Sequence, residues 1–210
     1  MLGFHHFGTF LLFAASILLL ISTITAPVVN SLALAKATIT IDGYSGTLDL
    51  GALGYCLKVN GSSDDCSPTK VGYTLPTVLS TLASATGTIS SDAQSTIDAV
   101  SKAFVLHPIA CGVTFFAFLV AAVSDRLGFL FAALIAALAA VLALVCMVLD
   151  LVFFYVVRRY ADDQNLDIAV SYSTGTWVTV AAFACLFFSV FFVACACVTD
   201  RRRKRRAHPW

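Results

Sequence analysis

The chain has 210 residues, of which 59% are hydrophobic and 12% are charged, with a formal net charge of +1. Soluble domains are closer to half apolar and a quarter charged, so this composition excludes an ordinary water-soluble domain and indicates that lipid is part of its solvent. The near-neutral balance gives no reason to expect a nucleic-acid partner.

Four stretches are apolar over the ~20 residues that a helix needs to cross a bilayer. They are residues 7–26, 104–124, 127–157 and 175–198. The second and third are separated only by Ser124, Asp125 and Arg126, which predicts a hairpin of two antiparallel helices. We therefore expect a single domain with four membrane spans over residues 1–210.

The orientation of these spans follows from the basic residues that flank them, since Lys and Arg favour the cytoplasmic side. A basic run from Arg201 to Arg206 follows the fourth span, and Arg126 lies in the hairpin. The basic run and Arg126 both lie on the cytoplasmic side if the N-terminus and the C-terminus are cytoplasmic. The loops 27–103 and 158–174 then lie outside, and residues 199–210 form a cytoplasmic tail.

A second interpretation of residues 1–26 is a cleaved signal peptide, with Thr23 to Ala26 as an imperfect small-residue cleavage site. The segment before the apolar run carries His5 and His6 but no Lys or Arg. The apolar run is also long for a signal peptide. We expect the segment to be retained as a helix.

The third stretch is longer than a bilayer requires, because 31 helical residues rise about 46 Å and the hydrocarbon core is about 30 Å thick. We expect its excess to project outward, which places Asp150 at the outer interface, paired to a loop group. The alternative for a membrane carboxylate is a proton or ion site. His107-Pro108 is predicted to mark a break before the second span. His107 is expected to be a structural hydrogen-bonding residue, with pH sensing as the alternative.

The long outer loop begins with short alternating, β-branched segments separated by turn residues, which predicts a strand meander. The predicted strands are residues 38–41, 47–50 and 54–59, and residues 76–103 show the three-to-four spacing of a helix. The fold class is accordingly a membrane all-α, four-helix transmembrane bundle with a small β-containing extracellular domain.

Cys56 and Cys66 lie in this outer loop, where an oxidising environment favours a disulfide. Closing a loop of this length contributes about 2–3 kcal/mol to stability. The alternative, a metal pair or redox motif, requires more ligands than the loop offers. Asn60 begins an Asn-Gly-Ser triplet, which is a glycosylation acceptor if the loop is lumenal; its occupancy stays open.

Cys195 and Cys197 lie at the cytoplasmic end of the fourth span. They are candidates for palmitoylation, or else small packing residues. The basic run after them acts as a stop-transfer signal and suits anionic lipid headgroups. It comprises Arg201, Arg202, Arg203, Lys204, Arg205 and Arg206.

The third and fourth spans differ in the size of their side chains. Alanines at three-to-four spacing in the third predict a bundle-packing face, and phenylalanines give the fourth a bulky surface suited to lipid or a partner helix. These phenylalanines are Phe183, Phe187, Phe188, Phe191 and Phe192. No span shows the charge pairs of a proton relay. The sequence shows no nucleophile–base pair, phosphate loop or metal cluster, so we expect no enzyme activity, cofactor or metal.

Two signatures resemble the fungal PalI and eisosome tetraspan family, whose fold is distantly claudin-like. One is Gly-x-x-Gly-Tyr-Cys at Gly51, Gly54, Tyr55 and Cys56; the other pairs His107-Pro108-Ile-Ala, opening the second span, with Gly-Thr-Trp, opening the fourth. The residues of the second signature are His107, Pro108 and Trp177. The resemblance covers nearly the whole chain. It departs from the family in lacking a claudin-type Trp, near whose place Tyr55 stands, and in ending at Trp210 without the long tail of PalI proteins, as a short paralogue or truncated form would.

The resemblance implies a multi-pass plasma-membrane accessory protein of a fungus. PalI members assist a larger receptor in ambient-pH signalling, so we expect a larger integral membrane protein, either a receptor or a membrane enzyme, as partner, together with anionic lipids. The first alternative is a self-associating organiser of membrane microdomains that affects the cell wall, as the eisosome relatives are. The second is a small channel or transporter.

Overall fold

The computed structural model describes residues 2–26, 28–29, 32–41, 44–59, 65–69, 102–123, 126–163 and 168–207, and of residues 193–207 it describes the backbone. In chain order the helices and strands are α1 (Leu2–Thr23), β1 (Ala35–Ile41), β2 (Tyr44–Leu50), β3 (Tyr55–Val59), β4 (Asp65–Cys66), α2 (Leu106–Val123), α3 (Arg126–Asp163), β5 (Ile168–Tyr172) and α4 (Thr174–Ala207).

Four of the described helices are long and apolar enough to cross a membrane. Their candidate spans are His6–Thr23, Leu106–Val123, Phe131–Val156 and Thr174–Phe192. The predicted fold class, a four-helix membrane protein with a small sheet and a disulfide, is confirmed. The helix α3 has 38 residues and rises about 57 Å. It is longer than its span because no helix breaker separates the apolar residues from the polar residues that follow them.

The chain divides into two compact units. The helical unit comprises Met1–Leu20, Pro108–Val145 and Thr179–Trp210, and the sheet unit comprises Ile21–His107 and Cys146–Val178. Each unit draws on segments that are far apart in the sequence, so neither is a continuous stretch of chain.

In the helical unit, two polar side chains connect α1 to its neighbours. The Ser189 hydroxyl on α4 donates a hydrogen bond to the Gly8 carbonyl at 3.0 Å. The Cys111 thiol on α2 donates to the Ser16 carbonyl at 3.8 Å. In a lipid environment a buried hydroxyl must find a partner inside the protein, and these contacts supply one.

The alanines of α3 lie inside the helical unit, as the sequence predicts. Those at the centre of the stripe are fully or almost fully buried, whereas the leucines between them, such as Leu134 and Leu138, are exposed. The buried alanines are Ala132, Ala136, Ala139 and Ala143. Small side chains allow helix backbones to approach closely, which explains this division of the helix surface.

The sheet unit contains a five-stranded antiparallel sheet in the order β4-β3-β2-β1-β5. The predicted meander of β1, β2 and β3 is present. The strands β4 and β5 were not predicted. The outer strand β5 follows α3 and pairs with β1, with Ala35 opposite Tyr172. Its apolar and polar residues alternate over only five positions, a signal too short to distinguish a strand from a loop.

One face of the sheet is covered by apolar side chains from α3 and from the segment before α2. The cluster includes Leu48 and Leu50 of β2 together with Phe104 and Phe153. The rings of Phe104 and Phe153 meet edge to face, with centroids 5.2 Å apart. Side chains alternate along a strand, so Asp49 belongs to the opposite face.

The predicted disulfide between Cys56 and Cys66 is confirmed. It joins β3 to the two-residue strand β4, where the two cysteines are direct cross-strand partners. A two-residue strand has too few ladder hydrogen bonds to hold its own register, so the bridge fixes this edge of the sheet. Asn60 lies outside the described residues, as does the predicted helix over 76–103 apart from its last two positions.

Removing the bridge by Cys56→Ser together with Cys66→Ser is expected to lower the free energy of unfolding by about 2–3 kcal/mol, because the unfolded chain regains the entropy of the open loop. Thermal unfolding of the purified protein in mild detergent measures this loss. Cys185→Ser, which alters a cysteine without a disulfide, is the control and should differ little from the unchanged protein. Equal midpoints for the double variant and the control would contradict the structural role of the bridge.

Candidate functional site

The described residues of the linker between α1 and β1, 24–26, 28–29 and 32–34, make hydrogen bonds to two other parts of the sheet unit. The Thr25 hydroxyl accepts a hydrogen bond from the Ala52 amide at 2.9 Å. The Leu34 carbonyl accepts one from the Thr176 hydroxyl at 2.8 Å, and the Gly175 amide donates to the Ala33 carbonyl at 2.9 Å. The linker therefore holds both the turn after β2 and the first turn of α4.

Two glycines allow the backbone to approach the linker this closely. A Cβ at Gly51 would lie 2.7 Å from the backbone nitrogen of Ala26, and a Cβ at Gly175 would lie 2.7 Å from the backbone oxygen of Ala33. Both distances are shorter than side-chain carbons tolerate. Gly51 belongs to the Gly-x-x-Gly-Tyr-Cys signature and Gly175 to Gly-Thr-Trp, so each signature contains a glycine that packs against the same linker.

Replacing Gly175 by Ala is expected to lower the free energy of unfolding by about 1–3 kcal/mol, since an added methyl group in a tightly packed site forces the backbone to shift. Gly112 on α2 is the matched control, because a Cβ there meets nothing within 4 Å. Gly112→Ala should leave stability unchanged or raise it by up to about 1 kcal/mol through helix propensity. Thermal unfolding of both variants in detergent decides between them. A Gly175 variant as stable as the Gly112 variant would contradict the close packing.

A buried carboxylate lies on the sheet face opposite the apolar cluster. Asp49 has a side-chain exposure of 2%, and its Oδ2 lies 2.9 Å from Lys58 Nζ while its Oδ1 lies 3.8 Å from Lys36 Nζ. Lys36 is its direct cross-strand neighbour on β1, and Lys58 is a diagonal neighbour on β3. The two lysines are partly exposed, so their stems cover the carboxylate while their charged ends reach water. The group is a structural ion cluster of the sheet.

Lys58→Met is expected to destabilise the protein by about 1–3 kcal/mol, because it removes the shorter ion contact and leaves a buried carboxylate poorly compensated. Lys36→Met removes the longer contact and should cost less than about 1 kcal/mol. Methionine keeps most of the aliphatic stem, so the comparison isolates the charge. Unfolding midpoints of the two purified variants provide the measurement, and the reverse order of stability would refute this assignment.

A second pair of buried ionisable side chains in the sheet unit consists of one residue from each of two helices. His107 opens α2 and Asp150 lies in α3, with side-chain exposures of 0% and 1%, and His107 Nε2 lies 3.4 Å from Asp150 Oδ1. The His107 backbone amide donates to the Phe104 carbonyl at 3.1 Å, which begins the first turn of α2. The centroid of the Phe104 ring lies 5.8 Å from that of the His107 imidazole, and the two rings meet edge to face.

Neither side chain of this pair has a hydrogen-bond partner among the described residues. Both ring nitrogens of His107 and both carboxylate oxygens of Asp150 are buried without a well-formed hydrogen bond. Such atoms are costly in an apolar interior. Their 3.4 Å approach to each other is therefore the principal polar contact available to either side chain among the described residues.

The pair corrects two expectations from the sequence. Asp150 was expected to pair with a loop group, and it lies instead against His107 of another helix. The spans were expected to show no charge pairs of a proton relay, yet two spans contribute one ionisable side chain each to this contact. Spacing within a single helix cannot reveal a contact between residues 43 positions apart (150 − 107). The sequence did offer one signal. His107 is the one His or Asp in the second apolar stretch, and Asp150 is the one in the third.

The signature residues take different positions around this framework. Pro108 is exposed in the first turn of α2, where its missing amide costs no hydrogen bond, and the predicted break falls at the turn just before α2. Trp177 is exposed in the first turn of α4, as suits an indole at a membrane–water interface. Tyr55 begins β3, and the carbonyl of Gly54 before it accepts a hydrogen bond from the Gly51 amide at 2.8 Å. Burial, and then the Asp65 carboxylate, raise the pKa of Tyr55, so its phenol is neutral at physiological pH.

A model of the SUR7/PalI family matches residues 4–200 of the chain. The chain belongs to the SUR7/PalI family. Among curated proteins, none matches it. Membership indicates a multi-pass membrane protein of the eisosome or pH-signalling type, in a family that is non-enzymatic.

In this SUR7/PalI family member, the described residues contain no group of three or more His, Cys, Asp or Glu side chains placed to hold a metal ion. Cys195, Cys197 and the basic run from Arg201 to Arg206 lie on the helical backbone of α4, but their side chains lie outside the described part. Palmitoylation and lipid binding there stay predictions.

Proposed function

We propose that this SUR7/PalI family member is a non-enzymatic plasma-membrane accessory protein that associates with a larger integral membrane protein, as a helper in ambient-pH signalling or as a regulatory subunit. Both termini face the cytoplasm in this proposal, and the sheet faces outward. Family membership over residues 4–200 supports the class of function.

The observation that carries the proposal is an aromatic surface on α4. Phe187, Phe188 and Phe191 are each more than half exposed. Phe187 contacts Phe188 edge to face, with ring centroids 5.9 Å apart. We call these three residues the α4 aromatic face. Rigid aromatic rings lose little conformational entropy on binding and are enriched at protein interfaces, so this face suits a helix of a partner protein.

The polar side chains of the helical unit support the same function. Ser16 and Thr114 donate to carbonyls of their own helices, and Ser189 donates across to α1. These three hydroxyls have hydrogen-bond partners within the chain. Association through apolar surface therefore fits the described part of the bundle better than transport does.

The test places a photo-crosslinking amino acid at Phe188, on the α4 aromatic face, in the full chain in its native membrane. We expect a discrete adduct with one larger membrane protein. The matched control is Leu186, which lies on the same helix with 0% exposure and should give no intermolecular adduct. Leu138 on α3 is exposed to a similar degree as Phe188 and reports the background at a surface facing lipid.

The identity of the adduct distinguishes the proposal from its alternatives. Phe188→Ala with Phe191→Ala should abolish co-purification of the partner in mild detergent while leaving the fold intact. Adducts only with further copies of this chain would instead support the self-associating organiser. Adducts at Phe188 no different from those at Leu138 would refute a partner at the α4 aromatic face.

A further inference from the structure

We propose that His107 and Asp150 form a protonation-dependent lock, in which protonated His107 pairs with Asp150 and fastens the start of α2 to α3 against the sheet. Loss of the proton loosens this junction. The proposal goes beyond the proposed function, because it concerns the chain alone and does not depend on any partner.

The first step of the argument is electrostatic. The two side chains are almost completely buried and meet at 3.4 Å. Histidine is cationic only when protonated, so the contact is an ion pair in acid and leaves a buried carboxylate opposite a neutral ring once the proton is lost. Losing one charge of a buried pair is much more costly than losing an exposed one, so the free energy of this junction depends on the proton.

The second step concerns what the pair holds in place. Phe104 lies three residues before His107, and Phe153 lies three residues after Asp150. The two rings contact each other at 5.2 Å in the cluster that covers the sheet face at Leu48 and Leu50. Asp150 and Phe153 lie three residues apart on α3 and share a helix face, and the Phe104 ring lies 5.8 Å from the His107 imidazole. The His107–Asp150 contact and the aromatic contact therefore join the same two segments. Loosening one loosens the other and relaxes the packing of the sheet.

The third step concerns competing titratable groups. Within about one helical turn of the pair, the other titratable side chains on α2 and α3 are Cys111 and Cys146. The parts of α1 and α4 in the sheet unit, residues 21–23 and 174–178, carry none. The charged cluster of Lys36, Asp49 and Lys58 belongs to the opposite face of the sheet from the apolar cluster. Histidine is the residue that ordinarily changes charge between about pH 5 and pH 8, so it accounts for a proton-linked change in this range.

The test compares thermal unfolding of the full purified chain between about pH 5 and pH 8 with that of His107→Leu/Asp150→Leu. Replacing both members with apolar residues of similar size is often tolerated and removes the proton-binding groups. We expect the midpoint of the unchanged chain, relative to the double variant, to fall by roughly 3–8 °C as the pH rises across this range. The sign follows because the ion pair is present in acid and lost in base.

Two further variants keep the test decisive. His107→Gln/Asp150→Asn keeps the volume and polarity of the pair and should show the same flat profile if the leucine variant fails to fold. His6→Gln changes an exposed histidine of α1 and should keep the pH dependence of the unchanged chain. Hydrogen–deuterium exchange, corrected for intrinsic rates, should show faster exchange at Leu48, Leu50 and Phe153 at pH 8 than at pH 5, and only when the pair is present.

Unfolding midpoints with the same pH profile in the unchanged chain and in both paired variants would overturn the lock. A pH-independent difference between them would do so as well, because it would indicate a neutral hydrogen bond. The cross-linking at Phe188 reports on partner binding in the membrane and these measurements report on the isolated chain, so the lock and the proposed function can fail separately.

Discussion

The described fold depends on one constraint, which is that a polar group removed from water in a mostly apolar chain must find its partner within the protein. The constraint applies at three places. Ser189 donates to a carbonyl of α1, the Leu34 carbonyl accepts from Thr176, and His107 meets Asp150. Each contact joins segments that are distant in sequence, so each one also helps to define the tertiary structure.

A few groups of the linker between α1 and β1 hold two distant parts of the sheet unit in place. Its carbonyls and the Thr25 hydroxyl bind the turn after β2 and the start of α4, and Gly51 and Gly175 allow the close approach that these bonds require. The signature glycines are thus explained by backbone packing. Trp177, two residues after Gly175 in the first turn of α4, does not take part in this packing and is exposed.

The two buried carboxylates of the sheet unit differ in a way that bears on function. Asp49 faces two lysines whose charged ends reach water. Asp150 faces a histidine that is buried with it and that carries a charge only when protonated. The proposed lock therefore concerns the pair of His107 and Asp150 and not the cluster around Asp49.

The sequence alone was sufficient for the four apolar helices, the meander of β1 to β3, the Cys56–Cys66 bridge, the buried alanine stripe of α3 and the family resemblance. These features depend on composition and on spacing along one element, which are local properties. The tertiary structure alone decided that β5 completes the sheet beside β1, that Gly51 and Gly175 share one linker, and that His107 pairs with Asp150. Each of these is a contact between elements distant in sequence, and periodicity within one element carries no information about which surface of another element it will meet.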